Sequence, residues 1–560
     1  MEYCAGMSMR PRASVEIPAQ TVAVVRAACP GGTRVTRVRD TLGAIFDDVE
    51  FAGWFAVEGR SAVPPGLLAL VCVLQAMEDL TDRDAADAVR TRMDWKYALG
   101  LALDDTGFHY SVLSEFRDRL AGDGRAIRLL ELMLDAAREA GLLRGGGKAR
   151  TDSTHVLAKI SALSRLERLG ETMRAVVNQL AQVAPGWLTL RIRPEWEQRY
   201  GRRIDSAHLP AGEQARDRFG QAVAADGAAL LAAIDDDPDA QWLNNLPTVG
   251  ALRAIWDQEC VRDAQGVWVL RHGRFREGAD FLDSPFDLDS RWSRKRDTSW
   301  RGYKAHLSET CDLDTPNLII DVQTTPATDA DNATLPAITT SLQARDLTLA
   351  EHYLDEGYVT ADAIARAAGQ GTQIIGPLTR DSSWQARAGK GFDRDSFHID
   401  FDTRTATCPG GKTSTTWRPR AHNSGPGTAI GFADTDCRPC PMRPDCTTSF
   451  TSGRQILIPA RDLYEIQLAN RAAQHDPAWK QRYNTRAGIE GTISQATRAH
   501  HLRHNRYTGL AKTRVQHVLT ACGMNAARIA DWNHRDNQPA PARPRSPFKN
   551  LCQKTKITAS

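Results

Sequence analysis

The sequence predicts an α/β core, a mixed sheet with flanking helices, preceded by an all-α N-terminal domain and interrupted by inserts. Three observations carry this expectation. Residues 64 to 145 repeat apolar side chains at helical spacing. Beyond about residue 295 the texture changes to short alternating strands separated by helices. Between 380 and 465 that alternation is broken by Gly, Pro, Cys and Trp.

The elements follow in order. Pro64-Pro65 opens a helix whose apolar residues are Leu67, Leu70, Val71, Leu74 and Met77. Thr81 and Asp84 have the spacing of a capping box for the next helix, and SVLSEFRDRL starts another near Ser111. Short helices rich in arginine suit a DNA-reading module; a plain helical bundle fits the same pattern. Gly145 to Gly147 break the chain before a first strand, KARTDSTHV (148–156), and residues 160 to 295 read as mostly helical. Strands are expected at 302–310 and 317–325, a helix at 331–346 despite Pro336, a strand at 352–359, a helix at 360–370 capped by Thr360, and a strand at 372–378. The order is β, β, β, α, β, α, β, followed by a last long helix from near Tyr483.

A chain of 560 residues has room for roughly three to four domain-sized units. The divisions expected are 1–145 (helical, DNA-binding), 146–379 (first part of the core, with a helical insert at about 160–295), 380–465 (a cysteine-containing insert), 466–532 (the rest of the core) and 533–560 (a basic flexible tail). Apolar residues at 42% and charged residues at 25% are ordinary for a globular protein. The net charge is only +3, but Gly491 to Ala530 contains no Asp or Glu, and the tail adds Arg543, Arg545, Lys549, Lys554 and Lys556. One dominant sign of charge suits a polyanion partner; a solvated basic face gives the same pattern. The N-terminus lacks the apolar stretch of a signal peptide, and Leu67 to Met77 is too short to span a bilayer. The expected location is cytoplasmic.

Asp152 stands in a strand-like segment otherwise built for burial, where a carboxylate needs a partner or a metal. It either caps a helix or faces a site. Two further acids stand out by position: Asp355 at the end of a strand and Glu490 in the late helix. Their separations say nothing about proximity, which requires a fold. The predicted element order resembles the ribonuclease H-like arrangement, in which the first strand lies beside the fourth and a final helix packs on both. Three carboxylates meeting there would suit Mg²⁺, or Mn²⁺, and phosphodiester chemistry.

The motifs then become specific. RTDSTHVLAKI, HYLDEGYV and YNTRAGIEGTISQATRAHHLRHNRYTGLAKTRVQH resemble the three acid-bearing blocks of the DDE-type insertion-sequence transposases, including a Tyr-x2-Arg-x3-Glu core at Tyr483, Arg486 and Glu490. LTDRDAADAVRTRMDWKYALGL resembles that family's N-terminal domain. The resemblance implies Asp152, Asp355 and Glu490 as catalytic metal ligands, and Tyr483 and Arg486 as phosphate-positioning residues. It implies double-stranded DNA (element ends and target) as partner, and a homodimer in the synaptic complex at the nucleoid. Relatives often carry a basic residue seven positions after the Glu; here that position is Thr497, and Arg498 is assigned instead. Arg503, Arg506, Lys512 and Arg514 complete the expected DNA contacts. The alternatives are an inactive or domesticated transposase acting as a repressor, and a metal-dependent nuclease without strand transfer.

Eleven cysteines are too scattered for a secreted disulfide framework. Cys408, Cys437, Cys440 and Cys446 form the one cluster. Two readings stay open: a closed, structural Zn²⁺ site, or free thiols on a loop-rich insert. ATCPGGKT (406–413) fits a loose phosphate-binding loop but lacks the strand before and the helix after. His500, His501 and His504 lie among arginines, where binding a cation is unfavourable. They read as part of a phosphate-facing helix.

Overall fold

The computed structural model describes residues 7 to 532, apart from residues 10, 13–14, 57–58, 161–162, 272–279, 296, 380, 382, 390–391 and 423–424. The basic tail 533–560 lies outside the described residues.

The N-terminal part is helical: α1 (Ala19–Ala28), α2 (Arg34–Leu42), α3 (Pro65–Glu78), α4 (Asp82–Thr91), α5 (Met93–Leu99), α6 (Ser111–Leu120) and α7 (Ala126–Glu139). The capping box is realised in part: the Thr81 hydroxyl accepts from the Asp84 N–H at 3.2 Å. Helix α3 is apolar on nearly every face because neighbours surround it, and Leu67 to Gln75 are all buried.

Strand β1 (Lys148–Leu157) follows at once, so Asp152 lies within a strand and caps no helix. A helical insert then builds its own core around Leu169, Met173, Val223, Leu252 and Trp256. Its main helices are α8 (Arg165–Val183), α9 (Glu213–Asp235) and α10 (Pro247–Glu259). The sheet resumes with β2 (Arg291–Lys295), β3 (Thr298–Thr310) and β4 (Ile319–Pro326). Next come α11 (Asp331–Gln343), β5 (Glu351–Leu354), α12 (Ala361–Gly369) and β6 (Gln373–Ile375).

The sheet order is β6-β5-β1-β3-β2, with β4 on the remaining length of β3. β5 and β6 run parallel to β1, whereas β2, β3 and β4 are joined by antiparallel pairings. The expected α/β core with a mixed sheet and flanking helices is therefore present. Strand β2 was not foreseen: RWSRK is an edge strand exposed along most of its length, so it carries no apolar alternation. Strand β5 is shorter than expected, because the chain turns at Asp355, whose carbonyl accepts the Tyr358 N–H at 3.0 Å.

The cysteine insert holds an antiparallel sheet of β7 (Thr416–His422), β8 (Gly425–Gly431) and β9 (Gln455–Pro459). Helix α13 (Arg461–Ala473) returns the chain to α12. There the Asn470 side chain accepts from Leu378 N–H at 3.2 Å and donates to the Gly376 carbonyl at 3.0 Å. The single long helix expected from Tyr483 is instead broken. Helix α14 (Pro477–Tyr483) leads through a 3₁₀ turn (Asn484–Ala487) into α15 (Gly488–Ala499), and α16 (Leu510–Trp532) follows a loop. Helix α16 packs against α3, α7 and β4, so one hydrophobic core runs from the N-terminal helices through the sheet. Asn525 of α16 satisfies the exposed edge of β4 by bonding both the N–H and the carbonyl of Ile319, each at 2.8 Å. Among the described residues no helix is long and apolar enough to cross a membrane.

Three buried histidines give this core a pH dependence. His306 bonds the Tyr358 hydroxyl at 2.6 Å, His352 bonds Thr151 at 2.7 Å, and His517 bonds Thr324 at 2.8 Å. Burial lowers His306 and His352 to about 4 and His517 to about 3. Each is neutral when folded and takes up a proton on unfolding below about pH 6.5. Their contribution is therefore fully present above that pH and is lost as pH falls toward 4. Denaturant titrations should show stability declining over this interval, most steeply near its middle, where all three imidazoles are protonated only in the unfolded chain. His352→Gln should flatten the decline; an unchanged slope would count against the neutral buried imidazole.

Candidate active site

Asp152 sits at the centre of β1, its side chain 16% exposed. One carboxylate oxygen accepts the Ser153 N–H at 2.7 Å and the other accepts from Arg486 at 2.9 Å. β1 and β5 pair in register from Lys148 opposite Glu351 to Thr151 opposite Leu354. Carried one residue further, that register sets Asp152 beside Asp355, where parallel strands are about 4.8 Å apart. Asp355 occupies the turn after β5, and one of its oxygens accepts the Glu356 N–H at 2.8 Å.

Glu490 arrives from α15. It lies in the first turn of that helix, 62% exposed, and accepts from Arg486 at 2.8 Å. A carboxylate there also complements the positive end of the helix dipole. One guanidinium thus holds Asp152 and Glu490 together. Burial opposes the charge on Arg486, but Asp152, Asp355 and Glu490 outweigh it and raise its pKa. Burial also raises the pKa of Asp152; the Ser153 N–H and Arg486 oppose that rise, and Asp355 adds to it. Arg486 thus bonds Asp152 and Glu490, and the strand register sets Asp355 next to Asp152. Tyr483 stacks on Trp479 at 5.2 Å and lies beneath the Arg486 guanidinium at 5.9 Å. Among the described residues no three His, Cys, Asp or Glu side chains are already set to hold a metal ion.

What places α15 is a buried network that the sequence did not reveal. Glu309 of β3 is completely buried and accepts from Arg150 at 2.7 Å, Thr492 at 2.5 Å and Arg528 at 2.8 Å. Arg150 also donates to the Thr485 carbonyl at 2.9 Å, fixing the turn that carries Arg486. A side chain at Gly488 would displace the Arg150 guanidinium, because a Cβ would lie 1.8 Å from it. A second acid beside the site, Asp331 of α11, accepts from Ser153 at 3.2 Å and pairs with Lys304 at 3.1 Å. Nothing in the sequence singles Glu309 out, since it lies among His306, Ser308 and Thr310 at a polar end of its strand.

The predicted basic contacts are divided. Arg498 is exposed on α15 and donates to the carbonyl of Ser494 at 3.3 Å. Arg503 donates to Thr154 of β1 at 2.8 Å, and its backbone adds to the end of that strand through Leu157. Arg506 and His501 both pair with Asp79, at 2.8 and 3.1 Å. His500 bonds the Ala76 carbonyl at 2.9 Å, and Lys512 pairs with Asp118 at 2.8 Å. Arg514 is half-buried on α16, and His504 is exposed. Several expected phosphate contacts thus join the core to the N-terminal helices. Cys408, Cys437, Cys440 and Cys446 lie far along the chain in the insert, and line one cavity there.

Two segments match family models. Residues 407–530 match the transposase DDE domain, and residues 28–119 match the transposase domain DUF772. The first takes in the cysteine cluster, Arg486 and Glu490, and leaves Asp152 and Asp355 outside it. No curated protein matches the chain. The two matched segments support assignment of this chain to the DDE-type insertion-sequence transposases.

Proposed function

We propose that this chain binds the terminal inverted repeats of an insertion sequence, cuts the DNA there, and joins the freed 3′ ends to target DNA. The observation that carries the reading is the bridging of Asp152 and Glu490 by Arg486, with Asp355 next to Asp152 in the strand register. The strand order, with antiparallel β3 and β4 on one side of β1 and parallel β5 and β6 on the other, supports a ribonuclease H-like core.

The three carboxylates are hard oxygen donors and fit Mg²⁺ or Mn²⁺. A bound divalent ion would supply Lewis acidity and charge neutralisation at the scissile phosphate. Arg486 keeps the acids together while no ion is bound, and its guanidinium is free to turn toward a phosphate oxygen once they are otherwise engaged. Tyr483, held by Trp479, fixes the path of that guanidinium. Cutting and joining are both in-line attacks at phosphorus, by water and by a 3′-OH respectively, so one site serves both. Pairing of two DNA ends calls for a dimer in the assembled complex.

A supercoiled plasmid carrying the element's ends tests the reading. Nicked and joined products with Mg²⁺ are expected. Nicking without joining would indicate a nuclease, and binding without nicking a non-catalytic repressor. Arg498→Ala should weaken binding to DNA of any sequence and reduce the salt dependence by about one unit of slope. Binding titrations across salt concentrations check this, and cleavage should recover at low salt. An unchanged slope would remove Arg498 from the interface.

A further inference from the structure

The cysteine insert has a small core for its length. Phe397, Ala406, Ile430, Phe432, Ile456, Ile458 and Tyr464 are its buried apolar residues, and Cys408, Cys437 and Cys446 pack against them. Modules with so little apolar interior are commonly held by a metal or disulfides. The cysteines here are free thiols.

Their backbone settings point to thiolate ligands. Residues 408 to 412 form a tight loop in which Gly411 N–H donates to the Cys408 carbonyl at 2.8 Å and Lys412 N–H donates to Cys408 Sγ at 3.3 Å. The Cys437 loop repeats the pattern: Cys440 N–H donates to the Cys437 carbonyl at 3.3 Å, and Arg454 N–H donates to Cys437 Sγ at 3.4 Å. Each of these two sulfurs thus has a backbone N–H aimed at it, a setting that suits a metal-bound sulfur. Cys446 closes the group, lining the same cavity as the other three. The guanidinium of Arg454 also lines this cavity, and its Nε is buried without a hydrogen-bond partner. Arg454 is half-buried, and its guanidinium also donates to the Phe392 carbonyl at 3.5 Å, so a cation stands beside the four thiols.

We propose that Cys408, Cys437, Cys440 and Cys446 bind one Zn²⁺ as a closed, structural tetrathiolate site that holds the insert together. Four thiols lose four protons and gain one dication, which leaves a charge of −2 beside Arg454. The thiols face the shared cavity and close on the ion by side-chain rotation, since they are not yet in ligating array. All four positions come from protein, so the site has no place for substrate. Its role is separate from that of the carboxylates, which are unsuited to a soft, four-sulfur geometry.

The full-length chain, purified under reducing conditions, is analysed for metal. One zinc per chain is expected, released by a mercurial thiol reagent. Cobalt(II) added to the zinc-stripped chain should give sulfur-to-metal charge-transfer bands and the visible bands of a tetrahedral site. Cys437→Ser and Cys446→Ser should each abolish zinc retention. Chelation should raise hydrogen exchange across residues 400 to 450 while the strands from 298 to 326 stay protected. A chain without zinc that leaves cobalt colourless overturns the proposal. So does full zinc retention in both serine variants. Unchanged exchange after zinc removal overturns the structural role. None of these readouts depends on DNA cleavage.

Discussion

Glu490→Gln is expected to bind DNA ends at or above the level of the unchanged chain while losing both nicking and joining. The side chain is exposed, and the contact it makes is an ion pair with Arg486 one helical turn earlier. Pairs of this kind contribute about 0–1 kcal/mol, and Arg486 retains Asp152. The loss of a favourable charge in the first turn of α15 costs about 0.3–1 kcal/mol more. The fold should therefore survive. The amide keeps the size of the carboxylate but is a far weaker ligand for a hard cation. It also removes one negative charge from a surface that must accept phosphate, which is why affinity should not fall. Gel shifts and the plasmid assay, run side by side, decide the matter. Cleavage at a normal rate would end the three-carboxylate reading. Loss of binding would make Glu490 a structural residue and favour the non-catalytic alternative.

The three candidate acids were legible one by one. Asp152 interrupts a strand of buried residues, Asp355 ends a strand ahead of a turn, and Glu490 follows a Tyr-Arg spacing on a helix. Each leaves a local mark. The strands with alternating or apolar patterns, expected at 302–310 and 317–325, were legible for the same reason. Edge strand β2 was not, since an exposed basic strand has no apolar period. The break before α15 was hidden too, because Tyr483 to Ala499 has continuous helix-compatible composition, while the turn is set by Arg150 reaching Thr485 from another strand. The basic block shows a further limit. Sequence marks its charge, but not that Asp79 and Asp118, some four hundred residues away, already hold Arg506, His501 and Lys512.

Glu309 is the clearest residue that only the assembled fold identifies, and its removal should have the largest effect on stability. Glu309→Ala leaves Arg150 and Arg528 facing each other with side chains only 11% and 16% exposed. It also strips Thr492 of its acceptor. Breaking a buried ion pair by removing one partner typically costs about 3–5 kcal/mol, since the remaining charge keeps its desolvation penalty. Chemical denaturation should show a loss of that size. Glu309→Gln separates the two roles of this group. It keeps an acceptor for Thr492 but weakens the hold on Arg150, whose other contact fixes the turn bearing Arg486. At a temperature where the variant is fully folded, end binding should persist while nicking falls. If nicking then tracks only the folded fraction, Glu309 serves the core alone. If nicking falls in the folded protein, the buried carboxylate positions the guanidinium that bridges Asp152 and Glu490.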